Sequence, residues 1–269
     1  MLGSQLRMDA DLRREDEVFY GTNLMLGKII LATIIAGLLA GFVMAGIQYV
    51  RLTPLILAAE VYESPETEAI AEASKPCVET MPGMKMCSDE GHEHNADAWQ
   101  PEDGWQRTLS TSTASLLSGA GFAVLMVGIS MLLNIPITKQ NGLIWGVCGF
   151  IAVSLAPASG LSPELPGMLA ADLHFRQIWW VATIFLTGLA IYFWLFARDY
   201  WWRIAAIIFA IVPQFFVPIN EVESKSNLPA SLAAEFASSS LAANFIMWLA
   251  IGYFVSVALD RYQKDIAQL

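Results

Sequence analysis

The chain has 269 residues, 55 % of them hydrophobic and 15 % charged, and a formal net charge of −10. Soluble domains hold about 25 % charged residues, so this deficit, with a mean hydropathy of +0.50, predicts an all-α integral membrane protein. The acidic balance excludes a polybasic surface for nucleic acid and leaves two readings: a solvated acidic loop, or a vestibule that attracts cations.

Residues 1–27 are polar and hold Arg7, Arg13 and Arg14 among five carboxylates. No short apolar core with a small-residue cleavage site lies there, so the first apolar run is expected to act as an uncleaved signal anchor. A membrane-crossing helix needs about 20 mostly apolar residues. Runs of that kind lie at about 28–50, 113–133, 142–157, 178–197, 202–219 and 241–259. The third is short, and Pro157, Gly160, Pro163, Pro166 and Gly167 interrupt it early. The expectation is therefore a polytopic bundle of about six spans, or five if the third does not cross. The transmembrane domain is placed at 28–259, interrupted by an acidic loop at 51–112 and followed by a cytoplasmic tail at 260–269.

Basic residues orient the chain. Six spans with the amino terminus inside put nine Lys and Arg on short inner segments and six on the longer outer ones. Both termini are then cytoplasmic, in a bacterial inner membrane, and the 51–112 loop faces outward. Gly37, Gly41 and Ala45, with Ala36 and Ala40, and again Gly142, Gly146 and Gly149, have the small-residue spacing of closely packed membrane helices. Trp179, Trp180, Trp201 and Trp202 stand where interfacial anchors belong.

The loop contains PCVETMPGMKMCSDEGHEH, a concentration of metal-binding side chains. Met81, Met84, Met86, Cys77 and Cys87 form a soft set suited to Cu(I). His92 and His94, with Asp89, Glu90 and Glu93, suit Co(II), Ni(II), Zn(II) or Cu(II). Cys77 and Cys87 also have a disulfide open to them outside the cytoplasm, or metal ligation if reduced. Cys148 lies in an apolar run and is read as packing.

Three further segments carry polar groups beside membrane runs. Gln48 lies near the outer end of the first, and PLILAAEVYE at 54–63 reads as an apolar patch ending in Glu60 and Glu63. These carboxylates are either solvated or at a pore mouth. In LAPASGLSPELPGMLAADLHFRQIWW at 155–180, prolines fix the backbone around Glu164. Asp172 is read as a helix N-cap, followed by His174, with Arg176 and Gln177 able to pair with the carboxylates. PQFFVPINEVE at 213–223 places Asn220, Glu221 and Glu223 after two prolines. All three segments fall on the outer side in this topology and are expected to converge on one acidic vestibule.

Residues 21–28, GTNLMLGK, have one residue too many between glycines for a phosphate loop, and Ile29 follows where Ser or Thr is required. No G-x-S-x-G and no H-E-x-x-H occurs. The chain is read as a non-enzyme.

Taken together, GLLAGFVMAGIQYVRLTPLILAAEVYE (37–63), HEHNADAWQPEDGWQRTL (92–109), the 155–180 segment and LPASLAAEFASSSLAANFIMWLAIGY (228–253) resemble the CbtA family, the proposed large subunit of a cobalt transporter. The resemblance implies a cobalt role and a small single-span His-rich partner, a CbtB-like subunit. It also implies functional positions at His92, His94, Trp99, Glu102, Asp103, Trp105, Glu164, Asp172, Arg176 and Gln177. The chain departs from the family's five spans, has Pro218-Ile219-Asn220 where relatives often carry Pro-His, and inserts the Met/Cys group ahead of the H-x-H. The leading reading is a membrane subunit for Co(II) uptake, embedded in the lipid bilayer and without its own ATPase. The Met/Cys set supports copper, as Cu(I) or Cu(II), as the alternative. A reading of another class is a non-transporting scaffold or assembly subunit.

Overall fold

The structure is a computed structural model that describes residues 26–62, 77–81, 84–87, 104–166, 168, 171–218 and 228–267. Among these, five helices are long and apolar enough to cross a membrane. They are α1 (Leu26–Glu60), α2 (Trp105–Leu133), α3 (Gly142–Gly160), α4 (Leu173–Phe196) and, numbered α6 here, the helix from Ala230 whose apolar part extends to Asp260. The remaining apolar helix, α5 (Tyr200–Phe216), is shorter. The short member is therefore the fifth run, not the third.

Prolines explain both outcomes. Pro54 and Pro157 lack an amide proton and would normally stop a helix. Each follows a π-turn, Gln48–Leu52 in α1 and Ile151–Leu155 in α3. The turns close with Thr53 N–H donating to Gln48 O and Ala156 N–H donating to Ile151 O. The extra residue in the ring lets the helix continue past the proline instead of ending there. So α1 runs on from the first apolar run through Pro54 and ends at Glu60. By the same device α3 reaches 19 residues. In α5 the proline does the reverse: Pro213 sits in a 3-10 turn, Val212–Phe216. The steeper rise of that turn stretches α5 to about 28 Å, close to the ~30 Å hydrocarbon thickness.

The chain forms two compact units. The first gathers the described parts of Met1–Val43, Ala114–Val147 and Met247–Leu269. Its helices approach through glycine. A Cβ on Gly37 would lie 2.5 Å from both Ala120 Cα and Gly119 O, and one on Gly146 would lie 2.5 Å from Trp248 O. These are backbone contacts that no rotamer change relieves, and they allow helices to touch where lipid gives no hydrophobic driving force. Met126, Ile251 and Val255 are buried around them, and Phe122 meets Trp248 with centroids 5.0 Å apart. Lys139, in the turn before α3, pairs with Asp260 at 2.7 Å.

The second unit gathers Met44–Thr113 and Cys148–Ile246. Here α4 and α5 run antiparallel. Phe193 stacks on Trp202 at 4.6 Å, and at the other end Trp179 Nε1 donates to Pro213 O at 2.8 Å. Trp179 is only 5 % exposed. It is a buried hydrogen-bonding side chain, not the interfacial anchor expected; Trp180, Trp201 and Trp202 remain exposed. Within the acidic loop the backbone forms an antiparallel hairpin, β1 (Cys77–Met81) and β2 (Met84–Cys87), in a register that pairs position 77 with 87 and 81 with 84.

Candidate functional site: the Glu164 turn

At the end of α3 the backbone leaves the helix after Gly160, with Leu161 extended at φ −118° and ψ 95°. A Cβ on Gly160 would lie 2.8 Å from the Trp179 ring and from Val217, so glycine is what lets α3 end against α4 and the chain beyond α5. The turn then places Glu164 between Pro163 and the buried Leu165. Leu165 N–H donates to Met168 Sδ at 3.3 Å, and Met168 N–H returns to Leu165 O at 3.2 Å.

Opposite stands the first turn of α4. Asp172 caps that helix, its Oδ1 accepting from Phe175 N–H at 2.9 Å. The cap sets where the helix starts and so where Arg176 lies. Arg176 Nη2 donates to Glu164 Oε2 at 2.8 Å. The two side chains are 28 % and 25 % exposed, enough cover to make the pair more than a surface contact. His174 and Gln177, on the same turn, are exposed.

A second clasp of the same kind joins α1 to α2. Glu60, at the last position of α1, receives both terminal nitrogens of Arg107: Nη1 donates to Oε2 at 3.2 Å and Nη2 donates to Oε1. These side chains are 29 % and 30 % exposed. A bidentate guanidinium–carboxylate contact fixes orientation as well as distance. A third pair, Arg51 Nη2 to Glu235 Oε1 at 2.8 Å, is about half exposed and contributes little by itself. Gln48 lies in the π-turn of α1, and Trp105 opens α2 with 73 % exposure.

Glu60, read as either solvated or at a pore mouth, and Glu164, expected in an acidic vestibule, are thus each held by an arginine. Glu63, His92, His94, Trp99, Glu102, Asp103, Asn220 and Glu221 lie outside the described residues, and for Cys77, Met81, Met84, Met86 and Cys87 only the backbone is described. Among the described residues no group of three or more His, Cys, Asp or Glu comes together as a metal centre. The sequence reading passed over Arg107 and Glu235 as partners. Their carboxylate–arginine contacts bridge 47 and 184 residues, and no local pattern signals such a contact.

Chemically, a carboxylate held by one guanidinium is an ion pair whose charge is already balanced. A divalent ion gains more from a single carboxylate than a monovalent guanidinium does, provided that it sheds water and that the arginine finds another position.

A family described as "Probable cobalt transporter subunit (CbtA)" matches residues 26–260. The chain belongs to the CbtA family. The match covers nearly the whole chain and includes all four residues of the two half-buried clasps. Membership and the apolar helices together make this a multi-pass membrane protein of a cobalt-transport family. No curated protein and no solved structure matches the chain. The CbtA description calls the protein a subunit, which implies a partner.

Proposed function

We propose that this CbtA-family protein is the membrane subunit through which Co(II) enters from outside the cytoplasmic membrane, with the Glu164 turn on the ion's path. The observation that carries the reading is the Arg176–Glu164 contact at 2.8 Å, at the turn that follows a proline-interrupted membrane helix. A carboxylate beside the hydrocarbon region is costly, and its presence there calls for a use. Arg176 neutralises Glu164 while no ion is bound. An arriving Co(II) takes the carboxylate, and Arg176 withdraws. The 51–112 loop concentrates the ion through His92 and His94, and the same loop faces outward with both termini inside. A small single-span His-rich subunit is the expected partner. The chain has no catalytic role in this reading.

One observation favours copper as a second cargo. The hairpin register sets Cys77 opposite Cys87 and Met81 opposite Met84, pairing soft-ligand positions with each other.

The deciding experiment is uptake of radioactive cobalt by cells carrying the protein, normalised to membrane expression, with Glu164→Gln beside wild type. Gln keeps the shape and removes the charge. Uptake is expected to fall about tenfold or more, the loss of one charge-assisted ligand. Wild-type uptake by Glu164→Gln would remove this turn from the path and support a scaffold role. The same cells loaded with copper settle the second cargo.

A further inference from the structure

The two half-buried clasps occur in the same local setting, and the setting repeats in the sequence. From the last three residues of its π-turn into the proline, α1 reads Val50-Arg51-Leu52-Thr53-Pro54 and α3 reads Val153-Ser154-Leu155-Ala156-Pro157. A glycine stands four residues before each valine, Gly46 and Gly149. Each π-turn ends two residues before its proline, and each is closed by the amide of the residue just before that proline. A glutamate follows each proline, at six residues for Glu60 and seven for Glu164.

The next helix repeats as well. Arg107 stands four residues after Asp103 and Arg176 four residues after Asp172, each arginine within the first turn of its helix. Twelve residues beyond each arginine comes a glycine preceded by a hydroxyl residue, Ser118-Gly119 and Thr187-Gly188. In both copies the arginine closes onto the glutamate that follows the proline, Glu60 at the last position of α1 and Glu164 four residues beyond the end of α3. A π-turn is a rare insertion kept mainly where it has a use. Two of them, on the same sequence signature and followed by the same ion pair, are not explained by propensity. The helix pair α5–α6 does not carry the signature. Its proline lies in a 3-10 turn and its carboxylate, Glu235, answers Arg51.

We infer that α1–α2 and α3–α4 are two copies of one helix-hairpin module, and that Glu60 and Arg107 serve cation uptake as Glu164 and Arg176 do, Glu60 offering its carboxylate to the ion and Arg107 balancing it when no ion is bound. Membrane transporters are commonly built from such internal repeats, parallel ones included. The copies differ chiefly at the tip. Between carboxylate and arginine the second has 11 residues and the first 46, so the Met-, Cys- and His-bearing loop is an insertion into one copy. The role assigned to Glu60 rests on the cobalt-uptake reading above; the equivalence of the clasps does not.

The test uses the full chain in cells, with cobalt uptake read over graded concentrations, and the purified protein in detergent, with the thermal unfolding midpoint read. Glu60→Gln is expected to raise the half-saturating cobalt concentration by about the same factor as Glu164→Gln, roughly tenfold. The double swap Glu60→Arg with Arg107→Glu rebuilds the clasp with the carboxylate on α2. It should restore the unfolding midpoint that Glu60→Gln lowers by about 2–4 °C, yet leave uptake impaired. Unchanged uptake in Glu60→Gln, or full uptake in the swap, overturns the role of Glu60 in uptake. Should wild-type cells accumulate no more cobalt than empty-vector cells, the uptake reading fails and the role of Glu60 in uptake falls with it. The module is then decided by unfolding alone. Equal lowering by Glu60→Gln and Glu164→Gln, with recovery both in the swap at 60 and 107 and in the matching swap Glu164→Arg with Arg176→Glu, supports it, and unequal responses overturn it.

Discussion

The indole N–H of Trp179 on α4 donates to the carbonyl of Pro213 on α5 at 2.8 Å, inside a site that leaves the tryptophan 5 % exposed. The bond ties the 3-10 end of α5 to the turn after Arg176, so it braces the helix that holds the Glu164 clasp. Trp179→Phe keeps most of the apolar body and strands the Pro213 carbonyl. The expected cost is about 1–3 kcal/mol, read as a lower unfolding midpoint in detergent. An unchanged midpoint would show the bond to be dispensable.

Gly37 is expected to tolerate no side chain. A Cβ there would meet backbone atoms of Gly119 and Ala120 at 2.5 Å, and backbone cannot rotate away. Gly37→Leu should cost more than the 1–3 kcal/mol typical of overpacking and deplete the protein from membranes. Gly128, with nothing within 4 Å of a built Cβ, is the control: Gly128→Ala should be recovered at wild-type levels. Equal membrane levels for the two variants would remove close α1–α2 packing as a constraint.

Asp172→Asn separates capping from charge. Asn caps a helix nearly as well as Asp, so α4 should start in the same place and Arg176 should still reach Glu164. Uptake should fall far less than in Glu164→Gln, whereas Asp172→Ala, which loses the cap at about 1 kcal/mol, should be the worse of the two substitutions at 172. Equal loss in Asn and Ala variants would point to the charge of Asp172 instead.

Orientation is open to labelling. A variant whose sole cysteine is placed at Ser74 should react with an impermeant thiol reagent in intact cells if the 51–112 loop is outside. Reaction only after lysis would reverse the topology.

The loop imidazoles make a pH prediction. Imidazole ligates only when neutral, and its ordinary pKa is about 6.5. Co(II) binding by the purified protein should therefore weaken as pH falls through that range, and a His92→Ala/His94→Ala variant should lose that pH dependence. The same pH profile in both proteins would leave the H-x-H without a metal role.

Much of this architecture is legible in the chain itself. Hydrophobic length is a local, additive property, so the membrane class and the number of apolar runs follow from reading windows of about 20 residues. The cap at Asp172 is local too, needing only a carboxylate and the first free amides of a helix. Proline, read locally, misled. Pro157 suggested a third run too short to cross, because a missing amide normally ends a helix. Whether a π-turn absorbs the proline is not written in the window. The same limit hid Trp179, whose indole looked like an anchor until α5 brought a carbonyl to it, and Arg107, whose carboxylate lies 47 residues away. The sequence by itself determined that the chain is a helical membrane protein and roughly where its long apolar helices lie. Only the tertiary structure decided which carboxylates meet an arginine, since ion pairs between helices form where packing places them and no periodicity predicts the encounter.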